Sequence, residues 1–197
     1  ILPPDNATHV QGASLDLPMH LVLGQPGQSL EADLPAWGRL NPGEVRVQGQ
    51  NIQISPVQVS LQPGKLLTRG ALKLKAPGIQ AALSNIVVHD PVSPDFEVRA
   101  GLRLDELDLP RLSPESFPLQ GKIMGQLPAV SLNRDRLSTA GELTGTFYGG
   151  KLTLSDLLMI RPFDPSREFG GTCQVKALHL EELSSSVGVG RVAGRMN

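Results

Sequence analysis

The sequence predicts an all-β chain with one or two short helices: an elongated, curved, mostly antiparallel sheet, open as a groove and built of repeated strand–short helix–strand units. Three observations carry this expectation. Its 21 Gly and 17 Pro break regular structure at about one position in five of 197 residues, against roughly 12% in average usage. That density excludes coiled coils, helical bundles and helical repeats. Apolar residues, 40% of the chain, alternate with polar ones at a period of two, which argues for strands and against disorder. A pattern from the middle of the chain also recurs near its carboxyl end.

The elements follow in order. Ile52 and Ile54 lead into Ser55-Pro56, after which Val57, Val59 and Leu61 continue on the opposite parity. A Pro at a parity switch marks a bulge or an edge position. Leu72, Leu74 and Ala76 form one further strand, and Ile79, Ala81 and Leu83 another. The clearest alternation runs from Phe96 through Val98, Ala100 and Leu102 to Leu104, with charged residues or Gly between. Leu119, Gly121, Ile123, Gly125 and Leu127 share one parity and end at Pro128 before a polar turn. Leu143, Gly145 and Phe147 share another, and Leu152 and Leu154 open the next strand. Thr172 to Ala177 closes the series, with Cys173 and Val175 on one face. Turn signals separate these runs at Asn41-Pro42-Gly43, Gln62-Pro63-Gly64, Ala76-Pro77-Gly78 and Tyr148-Gly149-Gly150.

Helix is expected in two places only. Leu107 to Ser113 allows about one turn, with Pro110 near its start. Ala177 to Val187 carries Leu178, Leu180, Leu183 and Val187 close to one helical stripe. Both are too short to stand alone and must pack on the sheet.

These two places reveal the repeat. Leu107-Asp108-Leu109, then Leu112-Ser113, matches Leu178-His179-Leu180, then Leu183-Ser184. Gly121-Lys122-Ile123-Met124-Gly125-Gln126-Leu127 matches Gly190-Arg191-Val192-Ala193-Gly194-Arg195-Met196. The copies lie near 96–128 and 172–197. The chain is therefore divided into a β-rich part at 1–93 and a repeat-containing part at 94–197. In a repeat architecture each unit offers a half-buried sheet that the next extends. The chain opens on Ile1, without Met, a signal peptide or a long apolar run, and reads as a segment of a longer protein.

Reaction chemistry is sparse. With 18 Lys and Arg against 19 Asp and Glu, and no three consecutive basic residues, the sequence lacks the basic face that nucleic acid needs. No cofactor or metal is expected: His9, His20, His89 and His179 lie far apart, without ligand spacing. His89-Asp90 has no nucleophile elbow to serve. The lone Cys173 is expected to be a small buried hydrophobe, and Trp37 a packing residue rather than a sugar platform. Asp105-Glu106 and Glu181-Glu182 open the two short helices, where negative charge suits the dipole. Gly188 to Gly194 imitates a dinucleotide loop without the following helix. Gly145 to Leu152 imitates a phosphate loop but has Leu152 where Ser or Thr must reach the metal. No enzymatic activity is expected.

What remains is the apolar surface. Only 4% of residues are aromatic, fewer than a sandwich of this size usually packs between its sheets. Faces of Leu, Val, Ile and Ala on a curved sheet suit an extended apolar ligand; a plain compact core is the alternative that composition favours.

The ordered motifs Leu107-Asp108-Leu109, Gly121 to Pro128, Leu137 to Leu143 and Tyr148-Gly149-Gly150-Lys151-Leu152 resemble the AsmA-like superfamily, in particular its large envelope proteins of the YdbH and TamB type. The likeness covers 96–197. It implies a periplasmic segment of an inner-membrane-anchored protein in a diderm bacterium, conducting phospholipid or another acyl-chain ligand along a β-groove toward the outer membrane, with a possible outer-membrane partner protein. The lining implied is Phe96, Val98, Leu102, Leu104, Leu119, Ile123, Leu127, Leu152, Leu154 and Val175. The competing expectation is a structural module for outer-membrane protein assembly, or a carbohydrate-binding β-sandwich.

Overall fold

Period-two alternation without long helix-forming runs dictates strands, and the computed structural model is 70% strand and 6% helix. It describes residues 8–16, 37–47, 50–113, 118–187 and 195–196. Short strands come first: β1 (Thr8–Gln11), β2 (Ser14–Asp16), β3 (Gly38–Asn41), β4 (Glu44–Val47), β5 (Gln50–Ile54), β6 (Val57–Gln62), β7 (Lys65–Arg69) and β8 (Ala71–Ala76). Long ones follow: β9 (Ile79–His89), β10 (Glu97–Asp108), β11 (Gly121–Asn133), β12 (Arg136–Phe147), β13 (Gly150–Ile160) and β14 (Glu168–Lys176). All fourteen join one open antiparallel sheet, with β9 to β14 paired in chain order. A separate two-stranded ladder joins β15 (Leu178–His179) to β16 (Arg195–Met196).

The sheet divides at β9, whose first half pairs with β8 and whose second half pairs with β7. The parity switch at Ser55-Pro56 explains the division. It separates β5, which pairs with β8, from β6, which pairs with β7.

One expected strand end is corrected. The sequence closes a strand at Leu127-Pro128, yet β11 continues to Asn133. Its register against β12 slips between Gln126 and Ala129, so Pro128 sits in a bulge, where a missing N–H does least harm to the ladder. Further slips fall at Asn85 and Asp156, both at φ +52°, residue types that tolerate the left-handed region. Between β12 and β13 the turn is Tyr148 (φ +43°) and Gly149 (φ +71°), the mirror-image turn that matches strand twist. The Tyr148 ring is 1% exposed, meets Phe147 edge-on at 4.7 Å, and donates its hydroxyl to the Pro118 carbonyl at 2.8 Å.

Both helices form within the expected stretches, as α1 (Leu109–Leu112) and α2 (Leu180–Val187). Glu181 and Glu182 open α2 as expected, but Asp105 and Glu106 lie in β10, whose strand pairing runs on to Asp108, so neither opens α1. Pro110 lies in the first turn of α1, where its absent N–H costs nothing. The Asp108 N–H, at the start of α1, donates to the Gly78 carbonyl at 2.7 Å. That bond ties α1 to the β8–β9 turn.

The core is an aliphatic cluster of Leu104, Ile123, Leu127, Leu143 and Leu152. Around it pack Ala81, Leu102, Leu107, Leu109, Val130, Phe147, Leu154, Leu157 and Val175.

Candidate apolar face

Residues opposite one another in a ladder share a face of the sheet. From Ile79 the register leads through Leu107, Ile123, Gly145 and Leu152 to Val175, one row across six strands. The next row runs through Ala81, Leu104, Gly125, Leu143, Leu154 and Cys173, and above it Leu83 pairs with Leu102 and Leu102 with Leu127. Beyond the bulges a further row joins Leu61, Leu66, Val88, Val98, Leu132, Leu137, Met159 and Phe169. These rows are apolar save for glycine and Cys173.

Glycine in them is steric necessity. A Cβ on Gly145 would strike the facing carbonyl of Lys122, and one on Gly125 would lie 2.9 Å from the Glu142 carbonyl oxygen.

The opposite face carries the charges. Arg99 pairs with Glu97 at 2.9 Å, Arg103 with Asp105 at 2.8 Å, and Lys122 with Glu106 at 2.6 Å. The Arg99 guanidinium, joined by the Ser131 hydroxyl, holds the Glu97 carboxyl below its ordinary range. The Lys122 ammonium does the same to Glu106, and Lys122 is raised in return. All are solvated pairs of the kind that contribute little stability. Their arrangement shows which face prefers water.

Nine of the ten residues expected to line a groove lie in β9-to-β14 territory on, or at the end of, the apolar rows. Leu104, Ile123, Leu127 and Leu152 are buried in the cluster. Leu102, Leu154 and Val175 are half-buried against it. Val98 is half-buried in the upper row, and Phe96, also half-buried, meets Phe163 edge-on at 6.0 Å. The tenth, Leu119, is half-buried just before β11 and outside the paired rows. Sequence reasoning missed Val130 and Leu132, because the bulge at Pro128 resets parity on β11, and Met159, because the slip at Asp156 resets it on β13; Leu137, which keeps the parity of Leu143, was read only as part of a motif.

Cys173 is exposed rather than buried. It holds the position expected, on the face of Val175, but β14 is the last strand of its sheet among the described residues and lacks a neighbour to cover it. Trp37 is half-buried under the Arg69 guanidinium, 4.2 Å from the ring centroid. Gly145 to Leu152 forms the β12–β13 hairpin, while Gly188 to Gly194 and His20 lie outside the described residues. Among the described residues no three His, Cys, Asp or Glu side chains gather as a metal site, and no helix is long and apolar enough to cross a membrane. No family model matches the chain, and neither a curated protein nor a solved structure matches it.

Proposed function

We propose that this chain is a non-catalytic segment of a periplasm-spanning, inner-membrane-anchored protein that carries phospholipid acyl chains along the apolar face of its sheet. The observation that carries this reading is the unbroken succession of apolar rows across β9 to β14, opposite a charged face. Acyl chains laid along such rows lose water contact, worth about 0.8 kcal/mol per CH₂. Dispersion has no preferred direction, so a chain slides while its headgroup remains in water. No bond is made or broken. The likeness to AsmA-like envelope proteins supports the choice of phospholipid and of a diderm envelope.

A second reading draws on burial. Leu127 at 2% exposed and Leu152 at 4% already contact protein on most sides, which suits a structural or binding module for outer-membrane protein assembly, or a sugar-binding one. The half-buried residues separate the two. Purified chain extracted with organic solvent should yield acyl lipids by mass spectrometry, and the folded variant L102D/L154D should yield severalfold less. Equal lipid from both, with circular dichroism confirming folding, sinks the lipid reading and leaves the structural one.

A further inference from the structure

Backbone geometry in the sheet recurs at a spacing of 71 residues. Left-handed residues fall at Gly70 and Gly141, Gly78 and Gly149, Asn85 and Asp156, and Asp90 and Arg161. Ladder pairs recur with them: Leu61 with Leu66 and Leu132 with Leu137; Leu74 with Ala81 and Gly145 with Leu152; Leu104 with Ala81 and Val175 with Leu152. Turn hydrogen bonds recur too. The Asp90 N–H donates to the Gly64 carbonyl at 2.8 Å, as the Arg161 N–H does to Asp135 at 2.7 Å. Agreement of turns, bulges and register at one offset defines a four-stranded meander. Its first copy ends in β10 and its second is β11, β12, β13 and β14.

In this frame β14 occupies the place of β10. The two differ in one respect. β10 has β11 along its second edge, whereas β14 has no strand there among the described residues, and eight of its nine residues are exposed. After β14 the chain forms the short ladder of Leu178 with Met196 and His179 with Arg195, a sheet of its own.

We infer that the free edge of β14 is a strand-acceptor site, which takes an antiparallel strand with the side-chain order of β11, the first strand of a further 71-residue unit. Backbone hydrogen bonds supply the affinity and alternate apolar side chains set the register. The inference does not depend on what the apolar face carries.

Register gives a direct test. Cys173 stands where Leu102 stands, and Leu102 is opposite Leu127. A synthetic peptide of residues 121–133 bearing Leu127→Cys should form a disulfide with Cys173 in a glutathione buffer at least tenfold more than the same peptide bearing Gln126→Cys, whose thiol emerges on the other face. The 197-residue chain is used unaltered, so folding of a variant is not at issue. Equal adduct from the two peptides, no adduct from either, or equal adduct from a scrambled Cys peptide overturns the inference.

Discussion

Leu127 and Met124 stand three residues apart on β11 and experience opposite surroundings. Leu127 is 2% exposed within the aliphatic cluster, whereas Met124 is 50% exposed. Leu127→Ala removes three carbons from water-free surroundings, a transfer loss of about 2.4 kcal/mol at 0.8 per group. A residual cavity adds to it, since flanking Leu102, Leu104 and Leu143 are held by their own ladders and close the space only in part. The expected total is about 2.5–4 kcal/mol, inside the range for buried Leu→Ala. Met124→Ala should change stability by no more than about 0.5 kcal/mol. Urea unfolding followed by far-UV circular dichroism, with m-values compared, measures both. A Leu127→Ala loss within about 0.5 kcal/mol of the Met124→Ala loss would refute the claim that this face holds the core.

Three further outcomes are expected. Tyr148→Phe deletes the donor to the Pro118 carbonyl and should cost about 1 kcal/mol in the same unfolding assay; an unchanged midpoint would show that water replaces the bond freely. Gly149→Ala places a Cβ at φ +71° against the His179 imidazole, so a loss of about 1–3 kcal/mol is expected, and a neutral result would mean that the β12–β13 turn changes type. Glu97, Glu106 and Asp164 are held below their ordinary values by Arg99, Lys122 and Ser166 respectively. Because their folded values are depressed, their stabilisation is present above the unfolded carboxylate range and lost as pH falls through the folded values. Melting temperature should therefore drop on acidification, and E106Q should show a shallower drop than the unsubstituted chain; identical slopes would assign the acid sensitivity elsewhere.

Alternation made the strands readable because one wet and one dry face leave a period of two in side-chain chemistry. The turns at Gly64, Gly78 and Gly149 were equally legible, since each needs a left-handed residue. What alternation cannot follow is a bulge. At Pro128, Asn85 and Asp156 one extra residue resets parity, so Leu132 and Met159 fell outside the rows that alternation predicts although both are apolar. The 71-residue spacing was seen only where side chains coincide, at Leu107 and Leu178. In the first half it survives as backbone conformation, with Asn85 matching Asp156 and Asp90 matching Arg161, residues whose identities differ while their φ values agree. Exposure of Cys173 was unreadable for another reason. It depends on β14 having no further neighbouring strand among the described residues, which no local pattern encodes.

The central claim is that one face of this sheet receives acyl chains and the other does not. Leu102 and Arg103 are consecutive on β10 and point to opposite faces. A benzophenone amino acid placed at either position, in protein incubated with phospholipid vesicles carrying an alkyne-tagged acyl chain and then irradiated, reports contact directly. Tagged lipid should attach at position 102 and be near background at position 103. Equal labelling at the two positions, or none at 102 in folded protein, would contradict the account.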